Sequence, residues 1–89
     1  MKIIKKSGIE EEFNLLKIRS SVSNASNEIN MLLTDSDLNI ITKEVMSILV
    51  ILNRETTSSY EVFAIVLNVL NKLKFKAICS AYLKGNIEI

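Results

Sequence analysis

The chain has 89 residues, which is room for one domain and no more. Hydrophobic residues make up 48% and charged residues 24%, a globular balance on the apolar side for this length. A net charge of +1 gives no global field for nucleic acid, the absence of histidine removes the usual acid–base group near neutral pH, and a single cysteine excludes an internal disulfide and a zinc ribbon.

Residues 2–6 and 9–13 read as two extended arms around Ser7 and Gly8, a strong turn signal. Lys2, Lys5 and Lys6 lead into Glu10, Glu11 and Glu12 rather than into an apolar segment, so no signal peptide is visible. No apolar run reaches membrane-spanning length, and a cytoplasmic location without membrane contact is expected. Ile9, Glu11 and Phe13 share one face of the second arm by period two, with Glu10 and Glu12 on the other. The register stays open: a two-residue loop pairs Ile4 with Glu11, and a five-residue loop pairs Lys5 with Glu11.

Asn14 is a good N-cap for a first helix over residues 15–28, with Leu15, Ile18, Val22, Ala25 and Ile29 as its apolar stripe. Met31, Leu32 and Leu33 are expected to pack beneath the next helix. Thr34, Asp35, Ser36 and Asp37 make a helix start, and residues 36–52 form the second helix, with Leu38, Ile41, Val45, Ile48 and Leu52 facing inward. Ile40, Met46, Leu49, Val50 and Ile51 widen that stripe beyond a simple amphipathic face. After a polar break at residues 53–55, Thr57, Ser58 and Ser59 open a third helix, and Ser58 with Glu61 fits a capping box. Residues 62–67 are apolar all round, which suits a central helix or one shared with a partner. A short fourth helix over residues 76–84 carries Ile78 and Tyr82 on one side with Phe75 just ahead of it; Gly85 is read as its C-cap and residues 86–89 as a candidate third strand. The expected fold is α+β: a small four-helix bundle capped by a two- or three-stranded β-sheet that includes the N-terminal hairpin, in one domain over residues 1–89.

Lys17 sits in the first turn of the first helix, where the dipole favours an anion; a cation there makes sense if a phosphate lies between them. Together with Ile3, Lys5, Lys6, Gly8, Glu11, Phe13, Asn14 and Ile18, it follows the pattern hydrophobic-x-Lys-Arg/Lys-x-Gly-x-x-Glu-x-Phe-Asp/Asn-x-x-Lys-Ile. That pattern resembles the start of the ATP-cone domain, the nucleotide-sensing module at the N-terminus of many ribonucleotide reductases and also present in the transcriptional repressor of their genes. The match runs ungapped from Ile3 to Ile18 and continues more weakly towards the C-terminus.

The resemblance implies a bundle capped by a small sheet and a site for ATP or dATP. Lys5 and Lys6 resemble the family's basic pair on the phosphates; without the resemblance they are solubilising lysines guarding a hairpin edge. Lys6 in place of arginine keeps the charge but loses the bidentate fork. Gly8 lets a ligand approach the backbone closely. Lys17 matches a lysine that approaches the phosphates, and its bland reading is a solvated helix residue. Glu11 matches a glutamate lining the site; its bland reading is a surface acid paired with Lys5 or Lys17. A carboxylate beside triphosphate needs sugar hydroxyls, a base amino group or Mg²⁺ to face. Ser59 stands where the family carries a binding Thr or Ser, although helix capping alone explains it. Ile3, Phe13 and Ile18 would lie against the adenine, and are ordinary core otherwise.

The chain departs from the pattern at Ser7, where relatives have Asp or Asn, and at Phe63, where some carry a polar residue or histidine; the latter argues against a second bound nucleotide. Cys79 replaces a small residue and reads as packing, not as a nucleophile.

The implied function is regulatory and non-catalytic: nucleotide binding that controls oligomerisation or activity of a partner such as ribonucleotide reductase. The chain carries neither a catalytic barrel nor a zinc ribbon, so it reads as a free-standing cone or one cut from a longer protein. A rival reading is a degenerate cone acting only as an association module, with a homo-oligomer formed through helices two and three. Direct DNA binding is not expected without a zinc ribbon or a basic recognition helix. No nucleophile–base pair, metal cluster or Walker-type loop points to an enzyme.

Overall fold

Strands β1 (Lys2–Ile4) and β2 (Glu10–Glu12) pair antiparallel in the computed structural model, which describes residues 1–87. Ile3 stands opposite Glu11 and Ile4 opposite Glu10, so neither expected register is adopted. The reason lies in the loop. The Lys5 N–H donates to the Ile9 carbonyl at 2.9 Å and the Gly8 N–H to the Lys5 carbonyl at 2.9 Å, leaving Lys6, Ser7 and Gly8 as a three-residue connection. Gly8 has φ +87°, the left-handed residue such a loop requires. A Cβ at Gly8 would meet no atom within 4 Å, so the whole penalty of a side chain there is conformational. Gly8→Ala is therefore expected to lower stability by about 1 kcal/mol, with Gly8→Asn closer to wild type, measurable by urea denaturation.

The third strand comes from elsewhere than expected. β3 (Thr56–Ser58) runs parallel to β1, with Thr57 opposite Ile3, so the sheet order is β2-β1-β3. The polar break at residues 53–55 returns the chain to the sheet: Asn53 ends the preceding helix in the left-handed conformation, and the Lys2 N–H reaches the Glu55 carbonyl at 2.9 Å. Asn86 and Ile87 continue the last helix instead, and Glu88 and Ile89 lie outside the described residues.

Four helices are described: α1 (Leu15–Glu28), α2 (Asp35–Leu52), α3 (Ser59–Lys72) and α4 (Lys76–Ile87). Local chemistry sets their ends. Asn14 Oδ1 accepts the Leu16 N–H at 3.0 Å at the start of α1. Thr34 and Asp37 form a reciprocal capping box at α2. At α3, Ser58 Oγ accepts the Glu61 N–H, and the Glu61 carboxylate turns to Thr57 Oγ1 and Arg54 rather than completing the box. α1 and α3 both end in Schellman motifs, with Asn30 and Lys74 in the left-handed position normally given to glycine. Gly85 is not a cap, because α4 passes through it to Ile87.

The helices form a ring in which α1 packs on α2 and α4, and α3 on the same two. Val22, Ile41, Val45, Val66, Val69, Leu70 and Ile78 fill the middle and are fully or almost fully buried. α3 supplies five buried residues, so its all-round apolar run is central. On α2 the inward stripe includes Thr42 and Leu49, while Ile48 flanks it and Leu52 is exposed. Leu33 packs against the core as expected, but Met31 and Leu32 do not: Leu32 is 78% exposed. Ile29 also lies at the surface, as the C-cap of α1.

Candidate functional site

The sheet covers one end of the bundle and leaves a pocket of about 330 Å³ beneath it. β1 contributes Ile3, and Lys5 follows just beyond that strand; Glu11 comes from β2, with Phe13 and Asn14 in the bend after it. Lys17, Ile18 and Ser21 come from the first two turns of α1; Ser59, Val62 and Phe63 from the start of α3; Tyr82 from α4. The volume lies within the range of small-molecule sites.

Seven of the nine residues singled out from the sequence line this pocket: Ile3, Lys5, Glu11, Phe13, Lys17, Ile18 and Ser59. The other two sit at the hairpin tip. Gly8 shapes the loop, and Lys6 places Nζ 5.5 Å from the centroid of the Tyr60 ring, on the first turn of α3. Asn14, Ser21, Val62, Phe63 and Tyr82 complete the lining. Asn14 follows from its place in the motif. Tyr82 reaches the pocket only because α4 folds back between α1 and α3, which no local pattern encodes.

The pocket has a charged side. The Glu11 carboxylate bridges two ammonium groups, with Oε2 3.3 Å from Lys5 Nζ and Oε1 3.3 Å from Lys17 Nζ. All three side chains stay partly open to solvent, so each pair is screened and weak on its own. Partial burial pushes the Glu11 carboxyl up, but Lys17 and Lys5 outweigh it and hold the group below the usual carboxylate range. Glu12 is likewise lowered, by the N-terminal ammonium and then by Lys2, and it points to the other face of β2. The first turns of α1 and α3 both contribute to the wall, so the positive ends of two helix dipoles add to the two lysines.

The other side is aromatic and apolar. Phe63 and Tyr82 stack with ring centroids 5.6 Å apart and planes 23° apart. Tyr82 is buried, and desolvation raises its phenol above the ordinary value. Phe63 thus lines the pocket with an apolar ring. Cys79 is half-buried, and its thiol donates to the Leu67 carbonyl at 3.5 Å. Among the described residues no group of three or more carboxylates and thiols could hold a metal ion.

A search of curated proteins returns no match. The family model of the ATP cone domain matches residues 1–84. Members of that family are regulatory nucleotide-binding domains that take ATP or dATP as allosteric effectors and are not themselves catalytic. The match covers nearly the whole chain, and its pocket combines a cationic side with an aromatic one: the chain belongs to the ATP-cone family.

Proposed function

We propose that this pocket takes ATP or dATP, with the triphosphate received by Lys5 and Lys17 and the base lodged among Ile3, Phe13, Ile18 and the Phe63–Tyr82 pair. Ser59, at the first turn of α3, supplies a hydroxyl to the same ligand, and Lys6 and Gly8 approach it from the hairpin tip. The observation that carries this reading is the convergence of two lysines from separate elements on one carboxylate in the lining of a pocket walled by two helix N-termini.

The ligand acts by its differential affinity for two arrangements of the bundle, and the arrangement selected governs assembly or a partner enzyme such as a ribonucleotide reductase. The association surface has support of its own. Ile40, Val50 and Ile51 of α2 are exposed apolar side chains, as is Leu32 in the preceding loop, and a partner that covered them would bury apolar surface. Titration calorimetry of the full chain with ATP, dATP and ADP, with and without Mg²⁺, combined with light scattering, tests both parts. Binding of triphosphates with a change in mass supports the regulatory reading. No heat at millimolar nucleotide, with a concentration-dependent mass, would leave an association module that has lost its ligand.

A further inference from the structure

We infer that Glu11 is an internal stand-in for phosphate, which holds the cationic site closed to bare polyphosphate and opens it to phosphorylated ligands that also carry hydroxyl or amino donors. The inference rests on the nucleotide reading of the pocket and assigns the selectivity of that pocket to one side chain.

The geometry is that of an anion already in place. One carboxylate oxygen meets Lys5 and the other meets Lys17, each at 3.3 Å, as two phosphate oxygens would. Glu11 faces Ile3 across the strand pair and lies on the pocket side of β2, while its neighbour Glu12 serves the N-terminus and Lys2. The carboxylate is therefore within the site and not a bystander at its rim. A polyphosphate that enters must separate two ion pairs and then sit beside the negative charge it displaced. A bare polyphosphate gives Glu11 nothing in return. A ligand with hydroxyl or amino groups next to its phosphates offers the carboxylate donors to replace the lost ammoniums. The device lowers affinity for every polyanion and lowers it least for those with donors to offer, which is selection by a penalty on the wrong ligand.

The same carboxylate offsets the repulsion between the two lysines. Without Glu11, Lys5 and Lys17 would face one pocket as like charges; with it they are held in position for the ligand. The carboxyl's lowered pKa fits a group kept ionised by its two partners.

The test compares inorganic tripolyphosphate with ATP on the full chain, by titration calorimetry at fixed low salt, for wild type, Glu11→Gln and Glu12→Gln. Far-UV circular dichroism checks that each is folded. Glu11→Gln is expected to bind tripolyphosphate about tenfold tighter than wild type while ATP gains far less, so that the preference for ATP shrinks. Glu12→Gln should leave both affinities unchanged. Tripolyphosphate affinity unchanged or reduced in Glu11→Gln, while wild type binds ATP, overturns the inference and leaves the nucleotide reading intact. No binding of ATP to wild type overturns the nucleotide reading, and the stand-in role falls with it.

Discussion

Leu70→Ala should remove about 3–4 kcal/mol of stability, enough to leave much of the protein unfolded in moderate urea. Leu70 is 0% exposed and lies in the last turn of the central helix α3. Its carbonyl also accepts the Phe75 N–H at 2.8 Å, in the motif that stops α3 and starts the turn to α4. Truncation leaves a cavity in a core whose walls come from all four helices, so no single element can move in to fill it. A domain of this size holds only a few kcal/mol in reserve, so the loss is a large share of the total. Leu16→Ala is the matched comparison, since Leu16 is 69% exposed and should shift stability by no more than about 0.5 kcal/mol. Urea denaturation followed by circular dichroism at 222 nm reads both. Near-equal midpoints for the two variants would mean that the core does not lie where α3 places it.

How much of this was legible beforehand depended on whether the signal was local. Both bounds of α1 follow from a capping Asn14 and an unbroken stripe, and α2 begins one residue earlier than expected because Thr34 rather than Asp35 is the cap. The hairpin and its turn were plain from Ser7 and Gly8, but the register was not, because one residue more in the loop shifts every pair without changing any residue's preference. β3 is three residues of Thr and Ser whose partner lies over fifty positions away, so the capping signal of Ser58 hid the strand just before it. The end of α4 was misplaced for the opposite reason: Gly85 is a strong local stop that the helix overrides.

The site divides in the same way. Lys5, Glu11 and Lys17 fall on one side of the pocket because period two in a strand and the first turn of the following helix can be read in sequence, and the motif ties them together. The sequence names Lys5 or Lys17 as a partner for Glu11; that one carboxylate meets both ammoniums needs the register. Phe63 drew notice only as a departure from relatives, yet it forms the aromatic wall with Tyr82. The two are nineteen residues apart on different helices, and only the packing of α4 against α3 brings the rings together.

Lys17→Ala carries the largest expected effect on ligand binding, a loss of about ten- to thirtyfold in affinity for ATP, as expected for deleting one charge-assisted phosphate contact at a half-open site. The stability of the empty protein should hardly move. Lys17 is an exposed first-turn residue where the helix dipole disfavours a cation, and its removal leaves Glu11 paired with Lys5. The two readouts therefore separate a binding role from a structural one. At a fixed ligand concentration that protects wild type strongly, a tenfold weaker site forfeits about 1.4 kcal/mol of ligand-induced stabilisation, visible as a smaller rise in melting temperature. Lys17→Arg keeps the charge and should stay within a few-fold of wild type. Lys43→Ala removes an exposed lysine from α2, away from the pocket, with the same change in net charge, and should bind as wild type does. If Lys17→Ala and Lys43→Ala weaken ATP equally, the effect is one of overall charge, and the phosphates do not lie between Lys5 and Lys17.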